Sequence, residues 1–387
     1  MRNSKFKSFF KYAIVCLLSV LISFAAFYLI FLGSPRYAKL RLIDAYLSSS
    51  FYGEFDKNAV DDKIFSAYLS SLGDRYAAYY NAEAAEEKSN SEQGNFMGLG
   101  VTVTKYPDTE LIYVDEVYEN GPAYNAGIKG GDVIVAINGV DISDKKYADS
   151  VNSLLGKKDE KITVTISRDS FKTDYELTYA ECEIQSVFYN IIENIGYIRI
   201  TSFNSATVAQ FKNAINTITA NNDIIGLVFD LRNNGGGTVN SVCEMLDILM
   251  PKGTLMTVEY ANGKSRTMWE SDENEVNLPM AVVTNKSTAS AAELFSATIR
   301  DFKKGVLVGQ TTYGKGVMQQ TFPLFDGSAI KFTVAQYFSN SHVSFDGIGL
   351  EPDISVELSE EQNKYYYQLS PGEDAQVLAA INWIKSN

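Results

Sequence analysis

The sequence predicts an α+β protein of several domains: an N-terminal transmembrane helix, a helical segment, a β-rich module and an α/β core. Three observations predict it. An uncharged apolar run follows a basic N-terminus. Short alternating strands bounded by turn residues come next. Buried apolar strands then alternate with helical stripes, the mark of an α/β layer. The 387 residues leave room for two or three domains, and 45% hydrophobic content supports packed cores. A net charge of −13, with no basic run beyond the N-terminus, argues against nucleic acid as a partner.

At the N-terminus, Arg2, Lys5, Lys7 and Lys11 precede residues 12–32, which carry no charge. As a helix that run spans roughly 31 Å, enough for a bilayer. Basic residues ahead of it put a tail of residues 1–11 in the cytoplasm and everything after it outside. A cleaved signal peptide is the rival, but its apolar core usually covers about 7–15 residues and ends in small ones. Residues 27–32 (FYLIFL) stay bulky. The expectation is an uncleaved anchor over residues 12–33, hence a single-pass cell-membrane protein with its remainder extracytoplasmic. The three cysteines, Cys16, Cys182 and Cys243, share no metal spacing and read as unpaired.

Residues 35–92 read as helical and polar-rich, with Leu40, Ile43, Tyr46 and Leu47 at helical spacing, then Ile64, Tyr68 and Leu72. Residues 94–183 form the β-rich module. Strands are expected at 100–104, 111–117, 133–137 and 161–168, with a helix over 147–155. Residues 185–387 form the core. A strand at 195–203 leads to a stripe of Val208, Phe211, Ile215 and Ile218. The buried strand 224–231 runs into RNNGGG (232–237) and a helix from about residue 240. Residues 317–324 and 329–338 flank Asp326-Gly327, a hairpin signal. A last helix spans 373–385.

The chemistry is expected in residues 285–320, NKSTASAAELFSATIRDFKKGVLVGQTTYGKGVMQQ. The short apolar strand 280–284 delivers Ser287, Thr288 and Ser290 to a helix start, where a nucleophile can stand beside backbone N–H groups. By position alone Ser290 is first a helix cap. As a nucleophile it needs a base, and the chain offers one histidine, His342, or the lysine Lys315 held between two glycines. To act so, Lys315 must be neutral, its pKa brought down by burial from about 10.4. The Gly235-Gly236-Gly237 run matches neither phosphate-loop pattern and suits a turn or an oxyanion hole.

These residues carry a resemblance. S-T-A-S-A-A-E followed by T-Y-G-K-G-V-M-Q resembles the signature of the carboxyl-terminal processing peptidases, serine proteases with a Ser-Lys dyad. The family pattern is close to S-x-S-A-S-E, then G-K-G-x-x-Q about twenty-five residues after the serine, which is the separation here. The resemblance implies Ser290 as nucleophile, Lys315 as base and Gln319 as the lysine's orienting partner. Ala292 stands where the family often has serine. D-L-R-N-N-G-G-G resembles the family's D-L-R-x-N-x-G-G and implies oxyanion donors at Gly236 and Ala291. G-I-G-L-E-P-D (347–353) resembles its closing motif. The family fold implied for the core is a crotonase-like ββα protease domain.

The run M-G-L-G-V followed by G-P-A-x-x-A-G-I-x-x-G-D-x-I-x-x-I-N-G resembles a PDZ domain. Such domains bind a peptide as an added strand and catch its terminal carboxylate. The carry-over puts that cradle at Gly98, Leu99, Gly100 and Val101. The implied partners are protein substrates with accessible C-terminal tails. Dimer contacts through the helical region, and so a homo-oligomer, follow from the resemblance alone. No metal or cofactor is expected, since one histidine and no acidic-histidine cluster leave no catalytic zinc set. Two other readings stay open, a catalytically inactive PDZ-containing scaffold and a serine protease with His342 as base.

Overall fold

Apolar, β-branched runs dictate a central six-stranded sheet. Strands Val187–Ile192, Ile195–Ile200, Gly226–Asp230, Met280–Thr284, Gly305–Gly309 and Ile354–Ser355 lie side by side in that order. The first pair is antiparallel and every later pair parallel, so both faces need covering. Gly226–Asp230 and Met280–Thr284 are accordingly buried at every position. Helices Ser205–Thr219, Val239–Leu249 and Ala291–Asp301 press Phe211, Leu246 and Phe295 onto one face. Helix Ala375–Ser386 lays Val377, Ala380, Ile381 and Ile384 on the other. Parallel order brings the C-terminal ends of Gly226–Asp230 and Met280–Thr284 to one edge, where the loops 231–238 and 285–290 meet.

This computed structural model describes residues 2–28, 35–119, 121–364 and 369–387. The chain divides into two compact units, Met1–Ile64 and Phe65–Asn387. The first holds helices Arg2–Phe27 and Pro35–Ser50. Here the expected anchor over 12–33 is corrected. Among the described residues no helix is long and apolar enough to cross a membrane. Helix Arg2–Phe27 spends its first turns on basic residues. Its uncharged part, residues 12–27, spans about 24 Å, short of the roughly 30 Å hydrocarbon core. The end of the expected run, residues 29–33, lies outside the described residues. The single-pass cell-membrane placement rested on that anchor and falls with it.

The reading of residues 35–92 as helical is also incomplete. Helices Lys57–Ser70 and Ala82–Gln93 flank a strand, Ala78–Tyr80, which pairs with Ala329–Phe338 in a second sheet. That sheet continues through Gly253–Tyr260 and Ser265–Ser271, and carries Val317–Pro323 along the other side of Ala329–Phe338.

The β-rich module is therefore inserted within the core rather than set before it. Its own sheet runs Val101–Lys105, Ile112–Val117, Val133–Ile137, Lys161–Arg168, Phe171–Thr178, around a core of Ile112, Val114, Ile162, Val164 and Ile166. Its entry and exit strands, Asn95–Gly98 and Ala180–Glu183, pair antiparallel. At their base Ile184 N–H donates to Gly94 O at 2.7 Å. Arg199 of the central sheet forms an ion pair with Glu116 of the module and lies over the Phe188 ring at 4.7 Å.

Below the loop edge a buried ion cluster fixes the turn after Gly226–Asp230. The Arg232 guanidinium meets Asp230 at 2.5 Å and Asp374 at 2.7 Å, and Tyr197 donates its hydroxyl to Asp230 at 2.8 Å. Burial opposes ionisation of Asp230, but Arg232 more than offsets it and holds the carboxyl below its usual range. Removing the cation strands two buried carboxylates. Arg232→Ala should cost roughly 3–5 kcal/mol, read as a lowered urea midpoint; a loss below about 1 kcal/mol would contradict this account.

Candidate active site

Ser290 sits at the junction between strand Met280–Thr284 and helix Ala291–Asp301, with φ 58° and ψ −119°. That is forbidden ground for most L-residues and costs about 1–3 kcal/mol unless its surroundings enforce it. They do so from two sides. Thr288 donates its hydroxyl to Leu231 O at 2.8 Å, and Ala289 N–H donates to Asn234 O at 2.9 Å, tying the turn to the glycine loop. Tyr313 N–H donates to Thr288 O at 2.9 Å, tying it to the loop that carries Lys315.

The strongest tie is one side chain. Glu293, fully buried in the first turn of the helix, accepts four hydrogen bonds. Its Oε2 takes Ser290 N–H and Lys315 N–H, each at 2.8 Å. Its Oε1 takes the Thr312 hydroxyl at 2.6 Å and Gly314 N–H at 2.7 Å. Thr312 in turn accepts Leu350 N–H at 2.7 Å, which brings the 347–353 segment to the site. Gly314 has φ +86°, and a Cβ there would lie 2.7 Å from Gly349 N, so the loop needs a glycine. Sequence reading quoted Glu293 within the motif but gave it no role. An S/T-x-x-E capping pattern was its signal.

Gly236 is packed against the same turn. A Cβ on it would stand 2.8 Å from Ser290 Cβ and 2.9 Å from Ala291 N. Its N–H donates to Asn234 Oδ1 at 2.8 Å, whereas Ala291 N–H, at the positive end of the helix, meets no protein acceptor among the described residues. Ser290, Ala291, Gly236, Lys315 and Gln319 all line one cavity of about 690 Å³. His342 does not. It is exposed in a turn, its ring stacked on Phe338.

Within that cavity the expected pairs are near but not joined. Lys315 makes no hydrogen bond to Ser290; its ammonium lies 4.4 Å over the Tyr76 ring. Burial pushes its pKa below the usual lysine value, and Lys331, Lys88 and Arg75 push the same way, while Asp74 opposes them. Gln319 makes no hydrogen bond to Lys315 either. Its amide donates to Thr333 Oγ1 and Val317 O, each at 3.2 Å, and Thr333 donates its N–H to Asp74 at 2.7 Å. Tyr337, buried, donates its hydroxyl to Lys315 O at 2.6 Å. No group of histidine, cysteine or acid side chains among the described residues could hold a metal ion.

In the module, Leu99 is buried. Its carbonyl accepts Ala123 N–H at 2.9 Å, and Gly100 O accepts Tyr118 N–H at 2.9 Å. Leu99 and Gly100 thus form a braced turn from Gly98, the end of strand Asn95–Gly98, to Val101, the start of the edge strand Val101–Lys105. Helix Tyr147–Asn152 stands near that strand, its Tyr147 hydroxyl donating to Val103 O at 3.3 Å.

Comparison with known proteins agrees with this architecture. Residues 194–356 match the profile of peptidase family S41, and residues 90–167 match that of the PDZ domain. The chain is 30% identical over 329 residues to the carboxy-terminal processing protease CtpA of Bacillus subtilis strain 168, covering 84% of this chain and 70% of that one. It is 28% identical to a "Probable CtpA-like serine protease" of Staphylococcus aureus strain N315, over 84% of this chain and 66% of that one. A solved photosystem II D1 C-terminal processing protease superposes with a TM-score of 0.50 at 27% identity, covering 84% of this chain and 87% of the other. The chain belongs to peptidase family S41, the carboxy-terminal processing serine proteases, and carries a PDZ domain.

Proposed function

We propose that this chain is an endopeptidase that cleaves protein substrates near their C-termini, with Ser290 as nucleophile and Lys315 as general base. The observation that supports this most is the shared cavity, in which Ser290 and Lys315 are backed by one buried carboxylate. In the proposed reaction Ser290 Oγ attacks a peptide carbonyl and neutral Lys315 takes its proton. Lys315 then gives that proton to the leaving amine, and water repeats the cycle on the acyl-enzyme. The oxyanion falls to Ala291 N–H and, once it releases Asn234, to Gly236 N–H.

The lysine over Tyr76 is a resting position in this reading, and it must swing toward Ser290 before each turnover. Gln319 serves the base at one remove, by bracing Thr333 and through it Asp74, whose charge acts on Lys315. The PDZ domain supplies a strand edge and the loop Gly98–Leu99–Gly100–Val101 for a substrate tail. A histidine base loses its support, since His342 lies outside the cavity. A scaffold without catalysis would leave the strained turn at Ser290 with no use.

Steady-state cleavage of a labelled protein substrate tests the dyad. Ser290→Ala and Lys315→Ala should each lower kcat by at least about a hundredfold, the scale of a lost base, while His342→Ala stays within about twofold. Near wild-type turnover by Lys315→Ala would sink it.

The pH profile gives a second check. Only neutral Lys315 accepts the serine proton, so kcat/KM should fall on the acid side of the lysine ionisation and rise as pH increases through it. Because burial and three neighbouring cations lower that ionisation, the midpoint should lie below the ordinary lysine value. A limb at or above that value would contradict the assignment.

Glu293→Gln keeps the shape but sets an amide NH₂ against two donors. It should lower kcat by about tenfold or more and stability by about 1–3 kcal/mol, measured by turnover and by denaturant unfolding of one preparation. Unchanged kcat would show that the two loops hold their places without it.

A further inference from the structure

The active-site cavity is longer than the chemistry at Ser290 requires. From Ser290 and Gly236 it runs along strand Val317–Pro323, past Gln319 and Thr321, to Lys331 and Lys88. A second hollow shares Lys88, Glu92 and Thr321 and continues to Tyr80 and Pro323. Strand Val317–Pro323 pairs with Ala329–Phe338 on one edge only, among the described residues. Its other edge is open to an extended peptide, which could add to it as a strand.

The charge along this groove is out of keeping with the chain. The protein carries −13 overall, yet the cavity is lined by Lys88, Lys315 and Lys331 against a single acid, Glu92. Glu92 is already committed to an ion pair with Lys88. Lys331 makes no ion pair among the described residues, although it is half-buried. Both ammonium groups converge on one ring, Lys331 at 5.4 Å and Lys88 at 5.9 Å from the centre of Tyr80. Lys88 has Glu92 as its counter-ion, whereas Lys331 has the ring and no carboxylate, so an anion beside Lys331 is favourably placed.

We propose that Lys331, with Lys88 and Tyr80, forms a subsite for a carboxylate of the peptide lying along Val317–Pro323. The proposal rests on the reading of Ser290 as the point of cleavage. Lys331 stands opposite Thr321 in the strand register, and Thr321 lies six residues beyond Lys315. At about 3.4 Å per residue the backbone separation is at most roughly 20 Å, and the Lys331 side chain reaches back far enough to act on Lys315, so the carboxylate belongs within about six residues of the cleaved bond. It is supplied either by an acidic side chain or by the free C-terminus of a short tail.

Binding to the full-length Ser290→Ala protein tests this without turnover. Fluorescein-labelled peptides of one length would carry Glu or Gln at each of the eight positions on either side of the cleaved bond. Each would be made with a free or an amidated C-terminus. One Glu position, or the free terminus, should bind about five- to twentyfold tighter than its neutral counterpart, and less so at high salt. That preference should vanish with Lys331→Met and persist with Lys331→Arg, which controls for folding. Equal binding of every charged and neutral pair would overturn the subsite. So would a preference that survives Lys331→Met, which would place the carboxylate on the PDZ loop. Cleavage of the same peptides by the wild-type protein separates the two claims. Cleavage without a Lys331-dependent preference sinks the subsite alone, while a Lys331-dependent preference without cleavage sinks the reading of Ser290 alone.

Discussion

The site depends on the Glu293 carboxylate. A buried charge is costly unless its oxygens are filled with donors, and here four donors converge on it from two loops that are distant in sequence. The energy that would be lost by leaving any of them unmade fixes the loops against each other. It also enforces the backbone at Ser290, whose dihedral angles no isolated turn would hold. Ser290 and Lys315 thus share a frame at the level of main chain, while no hydrogen bond joins their side chains. A frame that is rigid in the backbone, with one long side chain lying over an aromatic ring, suits the base proposed at Lys315.

That parking place follows from electrostatics. Desolvation and the neighbouring Lys331, Lys88 and Arg75 all disfavour the charged lysine, while the faces of aromatic rings and Asp74 favour it. The balance favours the neutral form more than water does. The cations are also what gives the groove its positive character in an acidic protein, so the lowered lysine and the proposed carboxylate subsite draw on the same residues.

How much was legible varied with the kind of signal. Strands with dense β-branched patterning, such as Val133–Ile137, Lys161–Arg168 and Met280–Thr284, read directly from the sequence. The hairpin Gly253–Tyr260 with Ser265–Ser271 did not, although Asn262-Gly263 at its tip is a turn signal. Strand Ala78–Tyr80 was unreadable in principle, because three residues beside helices gain their shape only by pairing with Ala329–Phe338. The candidate site residues were named from motifs, and the structure brings Ser290, Gly236, Ala291, Lys315 and Gln319 to one cavity. Their contacts were not. Gln319 bonding to Thr333, and Gly236 bonding to Asn234, are decided by register and loop geometry that spacing does not encode. The N-terminal anchor failed for a related reason, since hydropathy marks an apolar run but not where its helix ends.

The paired strands that join the PDZ domain to the core have a consequence for gene architecture. The chain leaves the core at Gly94 and returns at Ile184, and the two residues are one hydrogen bond apart. From the core's side, the 89 residues between them amount to a β-hairpin whose loop happens to be a domain. A recombination event that exchanged this loop for another would leave the strand Ala78–Tyr80, the glycine loop and the Glu293 cluster unaltered. The core can thus acquire a new recognition module, or lose one, by a single in-frame replacement, without reopening the problem of how its own sheet folds.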